Sequence, residues 1–178
     1  MNRAVPAAAL AFALCSPLAA LSDMSKADTE RFRDLARASL AEVEAGELAR
    51  ERAAHPAVKD LGKDMVEDHG RMLERHRALA KKEGVRLPGE PGSAQQQAIR
   101  ELREKPRRGF EFDHAYMART VKDHEAALRL AQDTAKRAKD AQLRAAAEKA
   151  VPEIRKRLEQ ARTLQLGMKN LAASQDPP

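Results

Sequence analysis

The stretch PAVKDLGKDMVEDHGRMLERHRALAKKE, residues 56–83, decides the fold of this chain. It carries a stripe, or seam, whose members recur at spacings of four and three and so share one helix face: Val58, Gly62, Met65, His69, Met72, His76 and Leu79. Pro56 suits the first turn of a helix, and Gly84 is a natural place for the helix to stop. The stretch therefore predicts one long amphipathic helix whose seam is interrupted near its middle by His69.

Three other long segments carry a seam of the same kind, and each has one polar residue near its middle. They are predicted over residues 28–54, 113–136 and 141–171, and their central polar residues are Glu42, His124 and Arg157, respectively. Pro152 lies inside the last segment and should kink or split it. A buried charge or imidazole is costly unless it has a partner, so four such residues on four seams indicate a site.

The connections between these segments set the topology. Short turns near residues 55 and 139 predict two antiparallel hairpins. Between the hairpins, residues 85–92 are rich in turn residues, and Ser93 can cap a short helix that ends near Arg103. This pattern predicts an all-α, ferritin-like four-helix bundle with one long crossover that contains a short extra helix. The composition agrees, since Ala, Leu, Glu, Lys and Arg make up more than half of the chain.

The four polar residues can be compared in height along the bundle. Glu42 and His69 each lie about 13 residues from the first turn, so they share a level at about 1.5 Å per residue. His124 and Arg157 lie about 15 and about 17 residues from the second turn, so they agree within about one helical turn. Because the crossover sets the offset between the hairpins, the sequence leaves open whether all four share one level.

Two interpretations of this polar layer stay open. Glu42, His69 and His124 form a credible ligand set for iron, manganese or zinc, because carboxylate oxygens and neutral imidazole nitrogens bind these metals. Arg157 cannot ligate a metal, but it can form a two-pronged ion pair with Glu42. The arginine therefore favours a metal-free layer, in which the Glu42–Arg157 pair lies among hydrogen-bonded histidines.

Further side chains are expected around this layer. Asp68 and Asp123 each precede a histidine by one residue, about 100° round the helix, so we expect them to support the histidines or face solvent rather than ligate. Tyr116 can lend its hydroxyl to the layer or simply pack. Asp113 is interpreted most simply as a helix N-cap. His76 is expected near the end of the bundle with one edge in water.

Residues 1–22 are predicted to be a signal peptide. A positive residue is followed by an apolar run too short to span a bilayer and then by the small residues Ala20 and Ser22, and cleavage is expected after Ser22. Cleavage there removes Cys15, the only cysteine, so the mature chain forms no disulfide. The remainder is predicted to be one domain, residues 23–173, with a disordered tail at 174–178. We therefore expect an exported protein of the periplasm or outer membrane.

The charge pattern bears on partners. The formal net charge is +6, and charges of both signs are interspersed at helical spacing, as on a solvated surface. With one tyrosine and no tryptophan the chain offers no base-stacking platform, so no nucleic-acid partner is expected. The basic excess leaves open a peripheral contact with anionic envelope lipid or cell-wall polymer. A homo-oligomer is also compatible with the sequence.

Several stretches of the chain are similar to a known bacterial family. They are AEVEAGELA at 41–49, MVEDH at 65–69, VRLP at 85–88, FDHAY at 112–116, VKDH at 121–124 and VPEI at 151–154. Together they resemble the domain-of-unknown-function 4142 family of exported, periplasmic or outer-membrane proteins. The resemblance implies a ferritin-like helical fold and candidate metal ligands at Glu42, His69 and His124. This chain differs from the family pattern at Arg157, where the family usually has a histidine.

These observations predict an exported helical-bundle protein with a non-catalytic, structural or stress-related role. One alternative is a metal-binding, ferritin-like protein that uses Glu42, His69 and His124. A second alternative is a peripheral envelope-binding protein. No residue is assigned a catalytic role, and the sequence predicts no reaction.

Overall fold

The computed structural model describes residues 24–107 and 109–175, with side chains as far as Asn170. The helices are α1 Lys26–Arg52, α2 Pro56–Lys82, α3 Ser93–Glu104, α4 Phe110–Arg137 and α5 Ala141–Gln175. Within the described residues there is no strand, so the all-α prediction is confirmed. The predicted signal peptide at 1–22 lies outside the described residues, as does the part of the predicted disordered tail at 174–178 that follows Gln175.

Local signals explain where the helices begin and end. Ser25 caps α1, and its hydroxyl accepts a hydrogen bond from the backbone N–H of Asp28 at 3.1 Å. Pro56 occupies the first turn of α2, where a missing backbone N–H costs little. After α2, Gly84 adopts a φ of +65°, a conformation that favours glycine. Pro152 does not split α5, which runs through it as one helix.

The long helices pack as two hairpins. Residues 53–55 join α1 to α2, and residues 138–140 join α4 to α5, so each pair lies side by side along most of its length. The hairpins meet mainly where α1 packs against α4, whereas α2 and α5 make a slighter contact. The short helix α3 lies in the connection between the hairpins and packs against α1 and α4.

The apolar core is divided into two clusters. One cluster occupies the end of the bundle that holds the α1–α2 turn and includes Val58, Met65, Phe112 and Met117. The other occupies the end that holds the α4–α5 turn and includes Phe32, Leu35, Leu143 and Ile154. On α2 and α4, His69 and His124 fall between the members of the two clusters, and on α1 Glu42 lies beside Ala41, where the first cluster begins. The apolar core therefore encloses a polar level from both ends.

Two glycines let the backbones of α1 and α2 approach each other closely. A Cβ atom added at Gly46 would lie 2.7 Å from the carbonyl oxygen of Gly62, and one added at Gly62 would lie 2.7 Å from the Cβ of Ala49. Gly46 is one turn beyond Glu42, and Gly62 is two turns before His69. The same close approach that holds the hairpin together thus sets the distance between two of the polar residues.

Two buried aspartates hold the turns of the hairpins. Asp113 is not an N-cap as predicted, because α4 begins earlier and Gly109 takes that position. Its two carboxylate oxygens instead accept the backbone N–H groups of Ala54 at 3.0 Å and His55 at 2.7 Å, in the α1–α2 turn. In the same way Asp28 accepts from the N–H groups of residues 139 and 140, in the α4–α5 turn, at 2.9 and 3.0 Å. Each hairpin's turn is therefore held by a carboxylate of the other hairpin.

Candidate metal centre

Three predicted ligands from three helices come together at the polar level. Glu42 lies on α1, His69 on α2 and His124 on α4, and all three side chains are buried. One potential ligand atom of each lies within 4.8 Å of those of the other two. The rings of His69 and His124 meet edge to face, with centroids 5.6 Å apart. For these three residues the two hairpins share one level, which the sequence left open.

A backbone carbonyl fixes the tautomer of His124. Its Nδ1 lies 2.9 Å from the carbonyl oxygen of Thr120, one turn earlier on α4. Because a carbonyl oxygen can only accept, Nδ1 carries the proton and donates it. The neutral ring then has its lone pair on Nε2, which is buried without a hydrogen-bond partner among the described residues. Histidines oriented in this way through their other nitrogen are typical of metal ligands.

Burial keeps both histidines of the cluster uncharged. Burial, with smaller effects of His124 and His76, lowers the pKa of His69 to about 3. Burial also lowers the pKa of His124, although the Thr120 carbonyl and Asp123 oppose the change. The Nδ1 of His69 is likewise buried with no hydrogen-bond partner in the described part of the chain. Two neutral imidazoles with unpartnered nitrogens therefore lie side by side at neutral pH.

The carboxyl group of Glu42 completes the cluster. Its Oε1 lies 3.5 Å from the Nδ1 of His124, which is too long for a good hydrogen bond. Burial raises the pKa of Glu42 to about 8, Asp123 adds to the rise, and Arg119 opposes it. A cation among the three ligands would reverse this effect by favouring the carboxylate. A carboxylate with two neutral imidazoles is a donor set that binds a divalent transition metal.

Arg157 does not pair with Glu42, and that part of the predicted polar layer is wrong. Its Nη1 lies 3.3 Å from the Oδ2 of Asp64, and its Nη2 donates a charge-assisted hydrogen bond to Asp68, both on α2. Nη1 also donates to the side chain of Gln160 at 2.8 Å. The side chain is 22% exposed, so the guanidinium reaches outward across α2 instead of inward to the level of Glu42. The metal-free interpretation thus loses the ion pair on which it rested.

The aspartates that precede the two histidines pair with arginines. Asp68 bonds both Arg71 and Arg157 in a network at the protein surface. Asp123 lies 3.0 Å from Arg119, and burial raises the pKa of this aspartate. The cluster of potential ligands contains neither aspartate. Arg119, whose side chain is only 10% exposed, is a residue that sequence reasoning missed, and its spacing of four from Asp123 was the available signal.

Two other buried groups flank the cluster without joining it. Tyr116 stacks on Phe112 with ring centroids 6.3 Å apart, and burial, with a smaller effect of Glu42, raises its pKa. His76 packs against Phe32, with ring centroids 5.5 Å apart, but it is 9% exposed and lines a surface cavity between α2 and α5, so the prediction that one of its edges meets water is not contradicted. Burial, with Arg75, lowers the pKa of His76 to about 4. Tyr116 therefore packs within the apolar core, and His76 packs against Phe32 as a neutral aromatic side chain.

Two surface cavities reach the cluster from different pairs of helices. One, of about 670 Å³, lies between α1, α4 and the start of α3 and reaches Glu42. The other, of about 290 Å³, lies between α2 and α5 and reaches His69 and His124. The three potential ligands are therefore buried but not sealed from solvent.

These features define a class of protein: an all-helical bundle with a buried carboxylate–imidazole cluster at its central level. The family model described as "Domain of unknown function (DUF4142)" matches residues 13–164, and the chain belongs to this family. No match was found among the curated proteins or among the solved structures. No helix within the described residues is both long and apolar enough to cross a membrane.

Proposed function

We propose that this chain is an exported, ferritin-like four-helix-bundle protein that binds one transition-metal ion through Glu42, His69 and His124. The observation that carries the proposal is the convergence of these three buried side chains, whose potential ligand atoms lie within 4.8 Å of one another. The export half of the proposal is supported by the signal-peptide pattern of residues 1–22. The architecture is supported by the two packed hairpins and the long connection that contains α3.

Metal binding explains the cluster better than a metal-free polar layer does. The cation that was expected to neutralise Glu42 pairs instead with Asp64 and Asp68. The Nδ1 of His69 and the Nε2 of His124 are buried without partners in the described part of the chain. Buried polar atoms that lack partners are costly, and coordination to an ion would supply a partner for a buried imidazole nitrogen.

The donor set narrows the choice of metal. One carboxylate and two imidazoles suit iron, manganese or zinc, and a set of three protein ligands leaves coordination positions for a small molecule. The carboxylate of Glu42 would cancel one of the two charges of a divalent ion, and the neutral histidines would cancel none. We propose binding as the activity of the site, with a structural or stress-related role. Contact with envelope lipid or cell-wall polymer stays a prediction.

Elemental analysis tests the proposal. Purified protein is stripped with a chelator, reloaded separately with Fe(II), Mn(II), Zn(II) or Co(II), and desalted before the metal is measured. At least one of iron, manganese and zinc is expected to remain at close to one ion per chain. The matched control is Glu42→Gln, which preserves shape but removes the only acidic ligand. If the unmodified protein retained no more of any metal than this variant, the proposal would be wrong.

The affinity for metal should depend on pH through Glu42. Since burial raises its pKa to about 8, binding below that pH must displace one proton from this carboxyl group. The apparent affinity for Zn(II) or Co(II) is expected to rise about tenfold per pH unit up to about pH 8 and then to level off. The histidines add no slope above about pH 6.5, because burial lowers their pKa values. Metal titrations at several pH values measure the slope, and a change of two protons per ion would contradict neutral histidines.

A further inference from the structure

The cavity between α2 and α5 combines the two histidines with an excess of positive charge. Its volume is about 290 Å³, and both His69 and His124 line it. The charged residues that also line it are Arg71, Arg75, Lys156 and Arg157, opposed by Asp68 and Glu153. Four cationic groups against two anionic groups leave a net charge of +2 on this lining. The neutral histidines do not alter that balance.

The cavity on the other side of the cluster has the opposite balance. The cavity that reaches Glu42 is lined by the acidic residues Asp34 and Asp123 and by one basic residue, Arg37. A divalent ion approaching Glu42 from this side would meet mainly negative charge. The positive lining is therefore a property of the histidine side and not of the whole surface around the cluster.

We propose that the cavity between α2 and α5 binds a small oxyanion, such as a carboxylate, bicarbonate or phosphate, between the metal ion and Arg157. This inference rests on the proposed function and adds to it the class of ligand that occupies the open side of the metal. A divalent ion held by one carboxylate keeps a net charge of +1, so it attracts an anion from the side that Glu42 does not cover. Arg157 supplies a planar donor group suited to an oxyanion on the same side.

The position of Arg157 is fixed by its partners. Asp64 and Asp68, both on α2, hold its guanidinium across the contact between α2 and α5. Arg157 lines the same cavity as His69 and His124, and its side chain stays 22% exposed. A guanidinium offers five N–H donors, of which Asp64, Asp68 and the side chain of Gln160 take three, so two remain for an anion. The arginine thus acts as a positioning residue for the anion, not as a ligand of the metal.

The cavity has room for a small anion. Its volume of about 290 Å³ accommodates a carboxylate, bicarbonate or phosphate group together with a few waters. The inferred ligand is therefore a small oxyanion.

Titration of the Co(II)-loaded protein with sodium azide tests this inference. Azide that enters the coordination shell changes the visible absorption of Co(II), so its dissociation constant is measured without any activity assay. The unmodified protein is expected to show a saturable change that acetate, bicarbonate or phosphate reverses by competition. Arg157→Gln is expected to weaken azide binding about tenfold or more, while Co(II) affinity changes less than about threefold. Arg157→Lys keeps the charge, so its affinity for azide is expected to lie between those of the unmodified protein and Arg157→Gln.

Arg162→Gln is the matched control. Arg162 is also on α5 and pairs with two carboxylates, Glu125 and Glu159, but it does not line the cavity. It carries the same change of charge as Arg157→Gln, so it should leave azide binding unchanged. Equal loss in both variants, or no loss in Arg157→Gln and Arg157→Lys, would overturn the role of Arg157. Azide that binds but is displaced by none of the three oxyanions would overturn the ligand class. If the protein retained none of Co(II), Fe(II), Mn(II) and Zn(II), the proposed function and this inference would both be wrong.

Discussion

Replacing His124 by alanine is expected to lower the affinity of the protein for Zn(II) or Co(II) by at least about 100-fold. His124 supplies one of three ligands, and its Nδ1–H bond to the Thr120 carbonyl orients the ring for use of Nε2. With it removed, Glu42 and His69 alone would have to hold the ion. His69→Ala is expected to have an effect of the same size, because it removes the other imidazole. Competition with a chelator of known affinity measures both losses.

His76→Ala separates loss of a ligand from loss of packing. His76 is buried on the same seam of α2 as His69, but it packs against Phe32 and lies outside the ligand cluster. Its replacement should reduce stability in urea while leaving metal affinity within about threefold of the unmodified protein. If His76→Ala lowered metal affinity as much as His124→Ala, the cluster would not be the binding site.

Gly62→Ala is expected to destabilise the protein by about 1–3 kcal/mol. The added Cβ would lie 2.7 Å from the Cβ of Ala49 and 2.9 Å from both the N of Arg50 and the carbonyl oxygen of Gly46. Two of these atoms belong to the backbone of α1, so relief requires the two helices to move apart. Because this contact sets the distance between α1 and α2, metal affinity should fall as well.

Gly70→Ala is the matched substitution on the same helix. Nothing lies within 4 Å of a Cβ added at Gly70, so only the helix preference of alanine changes. This variant should gain up to about 1 kcal/mol in the free energy of unfolding. Urea unfolding monitored by circular dichroism measures both variants. Stabilities that change in the same direction would contradict the close approach of α1 and α2 at Gly62.

The seam pattern predicted which residues lie on the inner face of each helix, but not where the ends of long side chains lie. The spacing predicts Glu42, His69 and His124 as inward-facing residues, and their side chains stay near their own helix faces. Arg157 shares the seam of α5, but its flexible stem lets the guanidinium reach charged partners at the surface. A seam position therefore fixes the location of a Cβ atom, and for arginine it does not fix the location of the charge.

The offset between the hairpins and the role of Asp113 could not be predicted either, and the reason is a different one. Both depend on contacts between segments distant in sequence, which no local pattern encodes. An aspartate near the start of a helix has the same local signature whether it caps its own helix or binds a remote turn. The burial of Asp113 and its bonds to Ala54 and His55 become visible only when the hairpins are packed together.

Each hairpin supplies the carboxylate that binds the turn of the other, and this has a consequence for folding. A lone first hairpin would contain an exposed Asp28 and a turn whose N–H groups lack Asp113, and a lone second hairpin would have the reverse defect. Neither half is complete in isolation, so the two halves are expected to become ordered together instead of one after the other. The metal ligands are divided in the same way, with Glu42 and His69 in one half and His124 in the other. The complete ligand set would thus exist only in the fully folded protein, and a partly folded form could not bind the ion with all three ligands.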